Sequence, residues 1–494
     1  MATEESPLLP RQEARVQPKF VAGILSTWIA TFLAAADTTI TATLSSTIAD
    51  EFNSLAIISW LGTGYLIGLT VTQPLSGKLS DIFGRRASFC FAACMFMIGN
   101  AICGFARSKA VLIMARVVAG IGGGGCISIA TFIVSDNIPL KRRGTWQGMS
   151  TVVFTMGIGL GGVIGGAVND AFGWRWAFLG IAPIPIISCV LVAIFVPNHA
   201  DRNQGLLQML SRVDFAGAIT LVASLVSLLL GLNHEGDQIL TLRFIVLISL
   251  GATLFGIFVL IEWRWAKEPI IPLSLFRRRS VVATCLTVWF LASSFYILLY
   301  YVPLYMRSLG HSPSEVGFRL LPYPIASGAG SCLIGLIIRM TGKYGVFMYI
   351  TPLFMIIATI GFSLTKESTP WILPELYLVC QGIGVGGGLT TLLLAMLHSV
   401  SHDSHATATS ALYAFRSVGA TVGLSVAGAV FKGRLKRFEN KNGFSCKLTD
   451  ACYLNALHGA FWLALGFACT ALLCGFSIEL SPREKDDEED ERNS

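Results

Sequence analysis

Asp37 stands inside a long apolar run, "FLAAADTTITATLS" at 32–45. A carboxylate at bilayer depth costs roughly 2.5–3.5 kcal/mol on insertion scales, so an acid kept there is a functional residue by default. Such a group can hold a proton or a cation, but not both, and that is the elementary requirement for exchanging one for the other. Thr41 and Ser45 follow at i+4 and i+8, so all three share one helix face. The expectation is a polar stripe that lines a central cavity and keeps the carboxyl out of lipid. Two arginines also interrupt apolar runs. Arg116 lies beside "RVVAGIGGGG", where it would tune a buried acid electrostatically or reach an interface by its long stem. Arg416 lies in "YAFRSVGATVG", where its planar fork could hold a carboxylate by two bonds. Gln73 and Gln381 either line the same cavity or tie helices together.

The elements that must position these groups are membrane helices. The chain has 494 residues, 53% apolar and only 13% charged, against about 25% charged in a soluble domain. Fourteen apolar stretches are long enough to cross a hydrocarbon core, at 20–48, 56–77, 87–106, 110–134, 147–168, 176–196, 213–232, 240–262, 280–303, 316–338, 345–365, 371–397, 406–430 and 454–478. An even number puts both termini on one side. With that side cytoplasmic, its segments hold 21 Lys and Arg against 13 opposite, six of them in one loop at 431–453. The formal charge of +7 therefore reads as loop topology and not as nucleic-acid binding. Of the 12 cysteines, ten lie in apolar stretches and read as buried small hydrophobes. Cys446 and Cys452, in "FSCKLTDACY", are the pair that a lumenal loop could oxidise to a disulfide. The spacings contain no zinc-site pattern and no GxxxxGK[ST] phosphate loop, so no metal, cofactor or catalytic residue is expected. Glu4 and Leu8-Leu9 have the spacing of an acidic dileucine sorting signal, and "EKDDEEDERNS" is an acidic tail.

Two glycine-rich patterns occur twice. Gly77 and Gly84 of "GKLSDIFGRR" map onto Gly335 and Gly342, with Arg85 onto Lys343. Gly120 maps onto Gly382, and Gly157, Gly161 and Gly166 map onto Gly419, Gly423 and Gly428. This is a parallel repeat of two six-helix bundles with an inserted pair between them. Transporters with that design bind substrate between the halves near the midplane and rock around it. The 77–86 loop needs Gly77 and Gly84 for a tight turn. Asp81 there can pair with Arg85, or with the charges of the Asp136–Arg143 region, as a latch that breaks on rocking; Arg86 belongs to the same basic loop. Gly157, Gly161 and Gly165 recur every fourth residue and form one smooth face for a neighbouring backbone. Three histidines, 398, 402 and 405, surround the loop between the twelfth and thirteenth stretches.

"GKLSDIFGRR" resembles the loop 2–3 signature of the major facilitator superfamily. "RVVAGIGGGG" is similar to its fourth-helix motif. The Gly148, Gly157, Gly161, Gly162, Gly165, Gly166 series resembles its helix-5 antiporter motif, with Gly162 where a proline is usual. The number of stretches resembles the fourteen-helix drug:proton antiporter branch. "AADTTITATLSSTIADEF" and "ATATSALYAFRSVGATVG" look most like fungal vacuolar basic amino acid transporters. The resemblance implies an all-α membrane fold. A tail at 1–19 precedes bundles at 20–197 and 280–478, which flank an inserted pair at 198–279; an acidic tail follows at 479–494. It adds Tyr65 and Tyr413 to the binding residues and turns the glycine face, with Gly166, toward the other half. It implies a monomeric, non-enzymatic proton antiporter that carries lysine, arginine and histidine from cytosol to vacuole. Drug or fungicide efflux at the plasma membrane is the alternative, and a non-transporting nutrient sensor is a third reading.

Overall fold

A computed structural model describes residues 18–54, 56–138, 140–196, 214–232, 242–264, 273–341, 344–366, 368–400, 405–442 and 451–478. The N-terminal head, the acidic tail, Gly342, Lys343, His402 and Cys446 lie outside these residues, as do the side chains of Arg143 and His405. Every described element is helical. The first half comprises α1 (Pro18–Glu51), α2 (Ala56–Phe83), α3 (Arg85–Phe105), α4 (Lys109–Asn137), α5 (Leu140–Phe172), α6 (Trp174–Ile181) and α7 (Ile184–Phe195). The inserted pair is α8 (Phe215–Leu232) and α9 (Leu242–Arg264). The second half comprises α10 (Arg279–Ser308), α11 (Pro313–Arg319), α12 (Pro322–Thr341), α13 (Gly345–Ser363), α14 (Ile372–Ser399), α15 (His405–Asn442) and α16 (Ala451–Gly475).

Among the described residues twelve helices, not fourteen, are long and apolar enough to cross a membrane. Helix α2 falls outside the twelve because Thr63, Thr70, Thr72 and Gln73 lower its hydropathy, and α8 because its apolar stretch, Phe215–Leu228, is short. The basic segment expected as a loop from 431 is helical to Asn442: α15 runs for 38 residues. Lys, Arg and Glu are good helix formers, so a helix can outrun the membrane that an apolar count detects.

Packing repeats between the halves. Helix α5 lies on α1 as α15 lies on α10, and α4 lies on α2 and α3 as α14 lies on α12 and α13. The halves meet where α5 touches α11 and α12, and where α15 touches α2. Helix α8 packs on α9 and touches both α2 and α15, one from each half. The glycines make these approaches possible. A Cβ on Gly120 would sit 2.0 Å from the Tyr65 carbonyl oxygen, and one on Gly382 would sit 2.4 Å from that of Tyr323.

The helix-5 glycines divide between two neighbours. Gly157, Gly161 and Gly165 face α1 of their own half, at Phe32, Ala36 and Ile40. This corrects the expectation that they meet the other half. Gly166 does meet it, at Pro313 and Ser314, and Gly162 faces Gly317. The second half repeats the division: Gly419 and Gly423 face Trp289 and Ser293 of α10, while Gly428 faces Ser59 of α2.

Cys452 is disulfide-bonded, and ten other cysteines are free. If its partner is Cys446, denatured protein will take ten thiol labels before reduction and twelve after, counted by mass.

Candidate functional site: a buried ion pair beside a closed central cleft

Asp37 lies near the middle of α1, with 16 residues back to Val21 and 14 on to Glu51. Arg116 lies on α4. Both side chains are fully buried, and Arg116 Nη1 donates to both carboxylate oxygens, at 2.9 and 2.7 Å. Arg116 Nε reaches the Leu61 carbonyl at 3.4 Å. Its Nη2 is buried without a hydrogen-bond partner among the described residues. The guanidinium lies over the Tyr65 ring at 4.6 Å, and the Tyr65 hydroxyl donates to the Ala34 carbonyl at 3.0 Å. Tyr65 therefore supports the pair from behind instead of lining the cavity. Breaking such a pair from one side typically costs about 3–5 kcal/mol, because one charge is left buried alone. The carboxyl is thus compensated and tied to α4 within its own half.

Thr41 and Ser45 do not form a cavity stripe. Both are fully buried and donate to carbonyls of their own helix, Asp37 at 2.8 Å and Ala42 at 2.8 Å. The residues of α1 that reach the cleft between the halves are Ala34 and Thr38. Leu69, Ile127 and Phe154 complete the first-half wall, and Tyr296, Arg416 and Ser417 form the other. The cavity volume is about 10 Å³, room for about one water. Hydrogen bonds join the two halves on both sides of the cleft. On one side of the cleft Thr70 and Thr421 hydroxyls bond at 3.0 Å and Gln73 bonds Ser417. On the other, Ser314 donates to Asp170 at 2.5 Å and Arg307 Nε reaches Ser46 at 3.3 Å.

Arg416 stacks over Tyr413 at 4.8 Å and over Phe154 of the opposite half at 5.8 Å. Gln381 is buried on α14 with its Oε1 lacking a hydrogen-bond partner among the described residues. Sequence reading missed Phe154, although the repeat contained the signal. The helix-5 glycine spacing that maps Gly157 onto Gly419 also maps Phe154 onto Arg416, so the two are counterparts that meet across the pseudo-axis. The glycine contacts also locate the counterpart of Asp37: Gly161 against Ala36 matches Gly423 against Ser293, which aligns Asp37 with Ser294. Ser294 is neutral, so the second half has no acid at that position.

The segment expected as a loop at 77–86 is helical except at Gly84, so Gly77 lies in the last turns of α2 and takes no part in the turn. Gly84 turns the chain at φ 87°, a left-handed value that favours glycine. Arg85 pairs with Asp81 at 2.6 Å and Asp136 at 2.8 Å, bonds Ser80, and lies over Phe132 at 5.1 Å. All of these partners belong to the first half. The point of approach to the other half is Gly77, whose Cβ would sit 3.5 Å from the Ser410 hydroxyl. Arg86 follows at the start of α3. His398 stacks on Tyr344 at 5.5 Å, at the end of α14. A second cluster marks the far end of the first half: Arg175 pairs with Glu51 at 2.7 Å, and Trp174 Nε1 donates to the same carboxylate.

Residues 27–424 match the family profile of the Major Facilitator Superfamily. Multidrug resistance protein fnx1 of Schizosaccharomyces pombe is 34% identical over 437 residues, covering 86% of this chain and 82% of its own. The vacuolar membrane amino acid uptake transporter fnx2 of the same yeast is 32% identical over 432 residues, covering 84% and 72%. Among solved structures, a bacterial homolog of the human lysosomal transporter Spinster superposes with a TM-score of 0.65 at 18% identity, covering 94% of this chain and 99% of its own. The matched family and these relatives are transporters and not enzymes, and the solved structure shares this fold over nearly its whole length. The chain belongs to the major facilitator superfamily.

Proposed function

We propose that this chain is a proton-coupled secondary transporter that moves lysine, arginine and histidine from the cytosol into the vacuole by alternating access. The observation that carries the reading is the Asp37–Arg116 pair, a fully buried acid held near mid-span by one arginine. A proton on Asp37 removes the charge that Arg116 compensates, loosens α1 from α4, and so makes the packing of the first half depend on proton occupancy. A substrate ammonium group can compete with Arg116 for the same carboxylate once the cleft opens, which links proton release to cation binding. The vacuolar amino acid uptake relative supports the substrate class. The basic loops at 78–86, 141–143 and 277–279 support cytosolic termini. In this orientation the Asp81–Arg85–Asp136 cluster braces the cytosolic end of the first half instead of latching it to the second, and the chain works as a monomer in the bilayer.

The test is uptake of labelled lysine into acid-interior vesicles containing the full chain. With one proton per substrate, a gradient of about two pH units supports about 100-fold accumulation, since each unit is worth about 1.4 kcal/mol. An uncoupler should collapse it. The multidrug relative supports a second reading, export of drugs at the plasma membrane. Absence of lysine uptake together with proton-driven movement of a dye cation would replace the first reading by the second. A tagged chain on the vacuolar rim favours the first, and one at the cell surface the second.

A further inference from the structure

Among the described residues the cleft holds one charge without an ion-pair partner, and it is positive. Arg416 lies eight residues inside the Ala408–Glu439 span, about 12 Å along the helix. Among the described residues it makes no hydrogen bond and no ion pair; its ring contacts are Tyr413 and Phe154. The acid of the other half is already engaged by Arg116. Next to Arg416, the Ser417 hydroxyl donates to the buried Gln73 amide oxygen, while the Gln73 amide nitrogen has no hydrogen-bond partner among the described residues. A guanidinium presents five donors in a planar fork matched to a carboxylate. Ring contacts at Tyr413 and Phe154 limit its movement, and its planar fork is pre-organised, so less freedom is lost per bond formed. A cleft for simple organic cations has no use for such a group, which repels them.

We propose that Arg416 is the carboxylate-binding pole of the central cleft, so that the substrate carries a free carboxylate. This rests on the transport reading and narrows it. The free amide end of Gln73 supplies a further polar contact beside the pole. The ammonium end of a zwitterion then points to the first half, where Asp37 is the acid. Amino acids fit this polarity; their decarboxylated amines and lipophilic cations do not.

The test uses matched pairs that differ by the carboxylate: lysine and cadaverine, histidine and histamine, leucine and isoamylamine. Each is added to the purified full chain and the thermal midpoint is read. At least one acid should stabilise the protein where its amine does not. Arg416→Gln should weaken that acid's apparent affinity by about 30-fold, as for loss of a charge-assisted double bond, and leave the amine unchanged. Arg416→Lys keeps the charge without the fork and should fall between, which guards against a Gln variant that fails to fold. The proposal is overturned if no acid outperforms its amine, or if Arg416→Gln keeps the wild-type preference. Labelled lysine uptake is scored separately. If lysine is not carried but another acid passes the paired test, the basic amino acid reading falls and the carboxylate pole stands.

Discussion

Asp37→Asn abolishes proton-driven uptake while the protein still reaches the membrane. The size of the effect follows from the environment. Asp37 and Arg116 are fully buried, and one arginine nitrogen bonds both carboxylate oxygens. Asparagine keeps an acceptor for Arg116 but has no charge and no exchangeable acid proton. Coupled uptake should fall by about 100-fold or more, equivalent to about 2.7 kcal/mol in the limiting step. Part of that loss is structural, since Arg116 is left buried without its counter-charge, at a typical cost of about 3–5 kcal/mol. The double variant Asp37→Asn with Arg116→Gln separates the two. It removes both charges, so its thermal midpoint should recover toward wild type while proton-driven uptake stays absent. Wild-type uptake in either variant would remove Asp37 from the coupling role.

Gly161→Ala and Gly166→Ala, five residues apart on one helix, should fail in different ways. A Cβ on Gly161 would lie 2.4 Å from the Ala36 carbonyl oxygen, inside the first half. A Cβ on Gly166 would lie 2.5 Å from the Pro313 carbonyl oxygen, in the second half. The first overpacks a bundle and should cost about 1–3 kcal/mol of stability, read as a lower thermal midpoint with or without substrate. The second leaves the bundle intact but keeps the halves from closing at α11. Transport should slow by about tenfold, or about 1.4 kcal/mol, with the midpoint nearly unchanged. A cysteine introduced at Ser46, which is buried here and bonded to Arg307 of the other half, should label faster in the Gly166 variant. Equal losses of stability in both variants would refute the division of the glycine faces.

That division shows where sequence reading stops. The i, i+4 spacing of Gly157, Gly161 and Gly165 identifies a smooth face, but both the α1 face and the α11 face of α5 are smooth. Adjacent residues differ by about 100° around the helix, so Gly161 and Gly162 serve different neighbours, and only packing assigns them. The charged positions were legible because an ion in an apolar run is rare and costly. Their pairing was legible only as one of two readings of Arg116, because Asp37 and Arg116 are 79 residues apart. Thr41 and Ser45 share Asp37's face, yet their hydroxyls bond the preceding turn of α1, an outlet that helix periodicity does not register. Helix α2 is helical where a span was expected, but it is more polar than the twelve apolar helices, and its Thr70 and Gln73 bond Thr421 and Ser417 of the other half.

The Asp37–Arg116 pair also gives the carrier an electrical signature. With the carboxylate ionised, the buried pair has no net charge. With a proton bound, it holds one positive charge at the same depth. A membrane potential acts on a buried charge by about 2.3 kcal/mol per 100 mV over the full thickness, so it bears on the proton-loaded pair and not on the ionised one. On the proton-coupled reading, one movement carries the proton and the other a substrate ammonium in its place, so each bears one positive charge at this depth. A one-for-one exchange is therefore sensitive to the potential on both movements yet transfers no net charge at this site, whereas movement of the empty, ionised pair would not feel it.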